Sequence, residues 1–136
     1  MTVLFDASLD EWRNWDTTPA QWLITNNEVP LNSATLVWVA DVAPWEVTVP
    51  GYSRQTVTGA TRTVDTSLHR VTYTCDSPTF GVLDNSPPYL SGLYLAYTGT
   101  DDTDSLLLAA YSLGDFAGGP IDPIIPLDGV HWVAQG

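Results

Sequence analysis

The sequence contains no lysine, a single cysteine and only four basic residues, and each shortage excludes a class of chemistry. Without lysine, the chain has no Schiff-base nucleophile and no P-loop. With Cys75 alone, it forms neither an internal disulfide nor a zinc site built from two or more thiolates. Four arginines against 16 acidic residues give a net charge of −12. That charge disfavours nucleic acid and membranes as partners, since phosphate backbones and anionic lipids attract cationic surfaces.

Targeting and membrane-spanning signals are also missing. The opening segment MTVLFDASLDEW reaches an acid at Asp6, so it lacks the basic and apolar regions of a signal peptide. No run of 18 apolar residues is present. We expect the chain to fold in a cytosol, where Cys75 stays a buried free thiol. Its 136 residues predict one domain, residues 1–136.

The composition favours β structure. Hydrophobic residues make up 44% of the chain and charged residues 15%, which is too apolar for disorder. Valine, threonine, tryptophan and tyrosine are abundant, and glycine and proline recur at short intervals. We predict an all-β fold, a compact antiparallel β-sandwich or barrel-like domain with one or two short N-terminal helices. The first helix is expected near Ser8 to Asn14, where Ser8 and Glu11 have capping-box spacing.

Alternating apolar and polar residues predict the strands. The segments 89–98 and 105–112 are the most apolar, and residues 35–39 also read as a strong strand. The polar run 54–64 is predicted to pair with residues 69–75 as an antiparallel hairpin. The core residues predicted from this alternation are Val71, Tyr73, Leu93, Leu95, Leu106, Leu108, Trp132 and Trp38.

An acidic loop between the two most apolar strands is the best metal candidate. Asp102 and Asp104 are weak calcium candidates, because calcium prefers oxygen ligands. The segment lacks the glycine and closing glutamate of the 12-residue calcium loop, so a solvated hairpin tip is favoured. We therefore predict no metal and no cofactor.

Catalytic chemistry is not indicated. His69, His131 and Cys75 would have to converge to form a nucleophile with its base, and alternation makes Cys75 a small core residue instead. None of the motifs GxSxG, HExxH, GxGxxG or Walker A occurs. We predict that the chain is not an enzyme and has no catalytic residues.

The aromatic excess suggests a surface for a partner. Six tryptophans are more than one small core usually needs, so some are expected at a subunit contact or on a carbohydrate platform. The candidate docking edges are the N-terminal segment with Trp12 and Trp15 and the proline-rich C-terminal run with Ile121, Ile124 and Ile125.

Three of the four arginines lie in the predicted hairpin. If Arg54, Arg62 and Arg70 share one face, they form a basic stripe on an acidic protein. Arginine suits such a stripe because its planar guanidinium binds carboxylates in bidentate fashion. Three isolated surface residues are the alternative.

Three segments have the strand and turn signatures of a known family: WEVTVPGYSRQTVTG (45–59), TVD…RVTYTCDSPTF (63–80) and LYLAYTGTDDTDSLLLAAYSLG (93–114). Through them, the stretch from Trp45 to Tyr111 resembles the small virion proteins of tailed bacteriophages. The three segments are similar to the family segments EV…GYxRQxLxG, VxYxADDVTW and VIYxDTGTDxTSPLIAY. The closing PLDGVHWVAQG is similar to the family's final strand. Phe80 replaces the family's usual tryptophan, and Ala96-Tyr97 replaces its usual basic residue.

The resemblance implies a non-enzymatic virion structural protein, made in the host bacterial cytoplasm. The expected role is capsid decoration (cement), with the major capsid protein or other virion proteins as partners and self-association as a further expectation. One alternative is a head–tail connector or tail structural protein. A second alternative is a carbohydrate-binding module that uses exposed tryptophans, which predicts a coplanar pair of them in a groove.

Overall fold

The structure is a computed structural model that describes seven stretches of the chain. They are residues 2–5, 11–29, 35–67, 69–76, 78–84, 88–113 and 131–135, with residues 2–4, 70, 71 and 131–135 described by their backbone alone. The predicted docking residues Ile121, Ile124 and Ile125 lie outside these stretches. The side chains of the predicted core residues Val71 and Trp132 lie outside the description as well.

Eight strands and three short 3₁₀ turns form the regular structure of the described residues. The strands are β1 (Thr2–Leu4), β2 (Ala20–Asn26), β3 (Gln55–Thr56), β4 (Thr61–Asp65), β5 (Arg70–Thr74), β6 (Leu90–Tyr97), β7 (Leu107–Ser112) and β8 (His131–Gln135). The 3₁₀ turns are Trp12–Asn14, Val39–Asp41 and Ala43–Trp45. The prediction of a mostly β fold is confirmed. Of the helix predicted near Ser8, the described part is a single 3₁₀ turn.

The strands form two antiparallel sheets. The larger sheet has the order β1-β7-β6-β2-β3, and the smaller has the order β4-β5-β8. In the larger sheet Trp22 pairs with Leu95 and Leu23 pairs with Tyr94. Residues that lie opposite each other share a face of the sheet, so these two pairs point to opposite faces.

Both faces of the central strands β2 and β6 are buried in the five-stranded sheet. Trp22 and Leu95 belong to one hydrophobic cluster, whereas Leu23 and Tyr94 belong to another. The first cluster also holds Tyr73 and Cys75 from the smaller sheet and its following segment, so it joins the two sheets. The second cluster consists of Phe5, Leu23, Leu36, Val39, Val42, Tyr94, Ala96, Leu107 and Ala110.

The strand predicted at residues 35–39 is wrong. The Asp41 carboxylate accepts hydrogen bonds from the backbone N–H groups of Val37 and Trp38, at 3.0 and 2.9 Å, and starts a 3₁₀ turn. This turn directs Val39 and Val42 into the second cluster and leaves Trp38 39% exposed. The prediction of Trp38 as a core residue is therefore also wrong.

The predicted hairpin of residues 54–64 with 69–75 is only half formed. β3 joins the five-stranded sheet by pairing with β2, and only β4 pairs with β5. Gly59, with φ +67°, lies at the crossing between the sheets. A Cβ there would come within 2.7 Å of the Asp76 carboxylate, so the crossing favours glycine for both its conformation and its space.

Most of the predicted core residues whose side chains the structure describes are buried. Tyr73, Leu93, Leu95 and Leu108 are buried, and Leu106 is half-buried against the first cluster. Cys75 is buried as expected.

Candidate functional site

Arg54 forms the centre of a cluster of charged side chains. Its Nε and Nη2 atoms donate to the two Glu46 carboxylate oxygens, at 2.9 and 2.7 Å. Its Nη1 and Nη2 atoms donate to the two Asp102 oxygens, at 2.7 and 3.0 Å. One guanidinium therefore binds two carboxylates in bidentate fashion, which is the geometry that gives arginine its strongest ion pairs.

Tyr52 extends the cluster to the backbone of the larger sheet. Its hydroxyl donates to Glu46 Oε2 at 2.5 Å and accepts from the backbone N–H of Ile24 in β2 at 3.1 Å. The Tyr52 ring stacks on Phe80, with ring centroids 6.0 Å apart. We call Glu46, Tyr52, Arg54 and Asp102 the Arg54 cluster. It joins β2, the segment from residue 46 to residue 54, and the hairpin between β6 and β7.

A tight turn positions the members of the cluster. The backbone N–H of Tyr52 donates to the carbonyl of Val49 at 3.1 Å across Pro50 and Gly51. Gly51 has φ +85°, the conformation that the third residue of a type II turn requires. The preceding segment is held on β2 because Val47 N–H donates to the Ile24 carbonyl at 3.0 Å. Glu46 and Arg54 therefore approach each other from the two sides of the turn.

Hydrogen bonds and burial shift the pKa values of Tyr52, Arg54 and Asp102. Donation to the Glu46 and Asp102 carboxylates raises the pKa of Arg54, and accepting these hydrogen bonds from Arg54 lowers the pKa of Asp102. Burial is the main cause that raises the pKa of Tyr52, and donation to the Glu46 carboxylate raises it further. At neutral pH the tyrosine is therefore a neutral donor between a backbone amide and a carboxylate.

The acidic loop uses its carboxylates to close the hairpin. Asp104 accepts from the backbone N–H groups of Thr100 and Asp101, at 3.1 and 2.8 Å. Both oxygens of Asp102 bind Arg54, so the two calcium candidates are engaged with protein donors. Among the described residues, no group of three or more histidine, cysteine or acidic side chains is placed to hold a metal ion.

Positions 54, 62 and 70 do not share one face, so the conditional arginine stripe is not formed. Arg54 precedes β3 and binds Glu46 and Asp102. Arg62 lies on β4 of the smaller sheet. In the β4–β5 ladder, Arg62 pairs with Tyr73 and Arg70 pairs with Asp65. Since alternate positions face opposite sides of a sheet, positions 62 and 70 do not share a face.

The N-terminal tryptophans are not an exposed docking edge. Trp12 is 2% exposed and Trp15 0%, so the prediction that they meet a partner at the surface is wrong. Trp15 Nε1 donates to the Thr74 carbonyl at 3.0 Å, and Trp12 packs against Tyr73 with ring centroids 5.6 Å apart. Both residues contact the smaller sheet of their own chain. The aromatic surface that was expected at an interface with a partner is therefore buried inside the chain.

Exposed tryptophan is scarce in the described part of the chain. Trp22 is fully buried and Trp45 is half-buried. Among the side chains that the structure describes, Trp38 is the one large aromatic that counts as an exposed hydrophobic residue. The coplanar exposed pair that a carbohydrate platform requires is not present among the five tryptophans whose side chains are described.

The most open surface is strand β4. Thr61, Arg62, Thr63 and Val64 are all exposed, although they point alternately to the two faces of the sheet. Tyr73, which lies opposite Arg62, is buried in the first cluster. β4 therefore extends beyond the edge of the core. In the described part of the structure, β5 is its only strand partner.

Sequence reasoning missed the Arg54 cluster because its members are far apart in the chain. Arg54 and Asp102 are 48 residues apart, and nothing in local periodicity relates them. One signal was present in the segment WEVTVPGYSRQTVTG around the Pro50-Gly51 turn. Glu46, Tyr52 and Arg54 all lie in this one segment, which the sequence analysis had singled out.

Comparison with known proteins found no matching family model, curated protein or solved structure. None of the helices in the described residues is long and apolar enough to cross a membrane.

Proposed function

We propose that the chain is a non-enzymatic structural protein of a tailed-phage virion, and specifically a capsid decoration protein bound over the major capsid protein shell. On this proposal it is made in the host bacterial cytoplasm and incorporated into the particle. Its partners are proteins rather than nucleic acid or membrane, in keeping with the net charge of −12. We further propose that its two sheets pack as a sandwich around the first cluster.

One observation supports this role most directly. The phage-like motif residues Glu46, Tyr52 and Arg54 form the Arg54 cluster, and Gly51 and Gly59 adopt the positive φ angles of its turn and of the crossing between the sheets. The residues that carry the resemblance thus stabilise the scaffold and bind one another.

The hairpin loop adds to this support. The resembling segment TGTDDTD forms the tip between β6 and β7, where Asp101 accepts from the backbone N–H of Thr103 at 2.8 Å. Ser105 donates to the Asp101 carbonyl at 2.7 Å and accepts from Gly99 N–H at 3.0 Å. These side chains act as turn-forming groups rather than as ligands or catalytic groups in this loop.

The proposal is tested on purified particles of the phage that encodes the chain. Their protein composition gives the copy number of the chain, and a reconstruction of the particles shows where its density lies. A decoration protein is expected in many copies per particle, with density on the outer surface of the major capsid protein. Density at the vertex that joins head and tail would overturn the decoration role in favour of the connector alternative. Absence of the chain from gradient-purified particles would overturn the virion role altogether.

A further inference from the structure

We draw no further inference here: the strongest candidate, the surface patch formed by exposed Trp38 beside the acidic hairpin tip of residues 99–105, rests on carboxylates that already accept hydrogen bonds within the chain, and nothing in the described part of the structure shows what covers it.

Discussion

The two sheets differ in how far the side chains on their faces are buried. In the five-stranded sheet, neighbouring residues such as Trp22 and Leu23 are both 0% exposed, because a hydrophobic cluster covers each face. In the three-stranded sheet, both faces of β4 are exposed, although its neighbour β5 contributes Tyr73 to the core. The difference shows that the larger sheet is covered on both faces along its central strands, whereas β4 leaves most of its side chains accessible.

The amino-acid patterns of the strands explain this difference. β6 has an almost continuous run of apolar residues, LSGLYLAY, which is typical of a strand buried on both faces. β4, TRTVD, places threonine or a charged residue at four of its five positions and has too little apolar surface to bury. Its stability depends on hydrogen bonds to β5 and on the Thr61–Thr74 hydroxyl contact of 2.6 Å.

The largest effect is expected from a truncation in the doubly buried sheet. Leu95→Ala removes a fully buried side chain from the first cluster and leaves a cavity, so it is expected to lower the free energy of unfolding by about 2–5 kcal/mol. Val64→Ala on β4 is the control, with an expected change within about 0.5 kcal/mol. Urea denaturation of the two variants measures both values. Similar losses in the two variants would contradict the division between a stabilising and an exposed sheet.

A smaller effect is expected from breaking the Arg54 cluster. Arg54→Ala leaves the Glu46 and Asp102 carboxylates without their shared cation, and their side chains are 18% and 37% exposed. Because the site is partly solvated, the expected loss is about 1.5–3 kcal/mol, below that of a fully buried ion pair. Arg62→Ala, on exposed β4, is the matched control and is expected to change the free energy of unfolding by less than about 0.5 kcal/mol. Equal effects of the two arginine changes would show that the cluster does not stabilise the fold.

The smallest effect is expected from Asp102→Asn, and it depends on pH. Hydrogen bonds from Arg54 lower the pKa of Asp102 below its ordinary value of 3.8. The stabilisation is therefore complete above pH 3.8 and is lost as the pH falls through the lower pKa of the folded state. At pH 7 the variant is expected to be less stable by at most about 1 kcal/mol, since solvent screens this half-exposed pair.

The pH dependence is measured as the difference between the unfolding free energy of the parent chain and that of Asp102→Asn. This difference is determined at pH 7 and again at pH 2–3. This difference cancels the titration of the other carboxylates, which both proteins share. The difference is expected to fall towards zero at pH 2–3. A difference that grows on acidification would contradict the assigned direction of the Asp102 pKa.

The sequence was informative wherever the physical cause was local. Apolar runs predicted the strands that became β6 and β7, and alternation predicted that Leu93 and Leu95 are buried core residues. It failed at residues 35–39, where five apolar or β-branched positions suggested a strand. A carboxylate three residues after Trp38 bonds back to the backbone there, and this capping contact competes with strand formation.

By itself, then, the sequence determined that the chain is a mostly β protein with a strongly negative charge and short elements, because composition and residue alternation act between near neighbours. The tertiary structure decided which tryptophans are buried, which strand of the predicted hairpin went to which sheet, and which acids Arg54 binds. These outcomes depend on contacts such as Arg54 with Asp102 and Trp15 with Thr74, which join residues 48 and 59 positions apart. Such contacts form only when the sheets assemble, so local patterns contain no record of them.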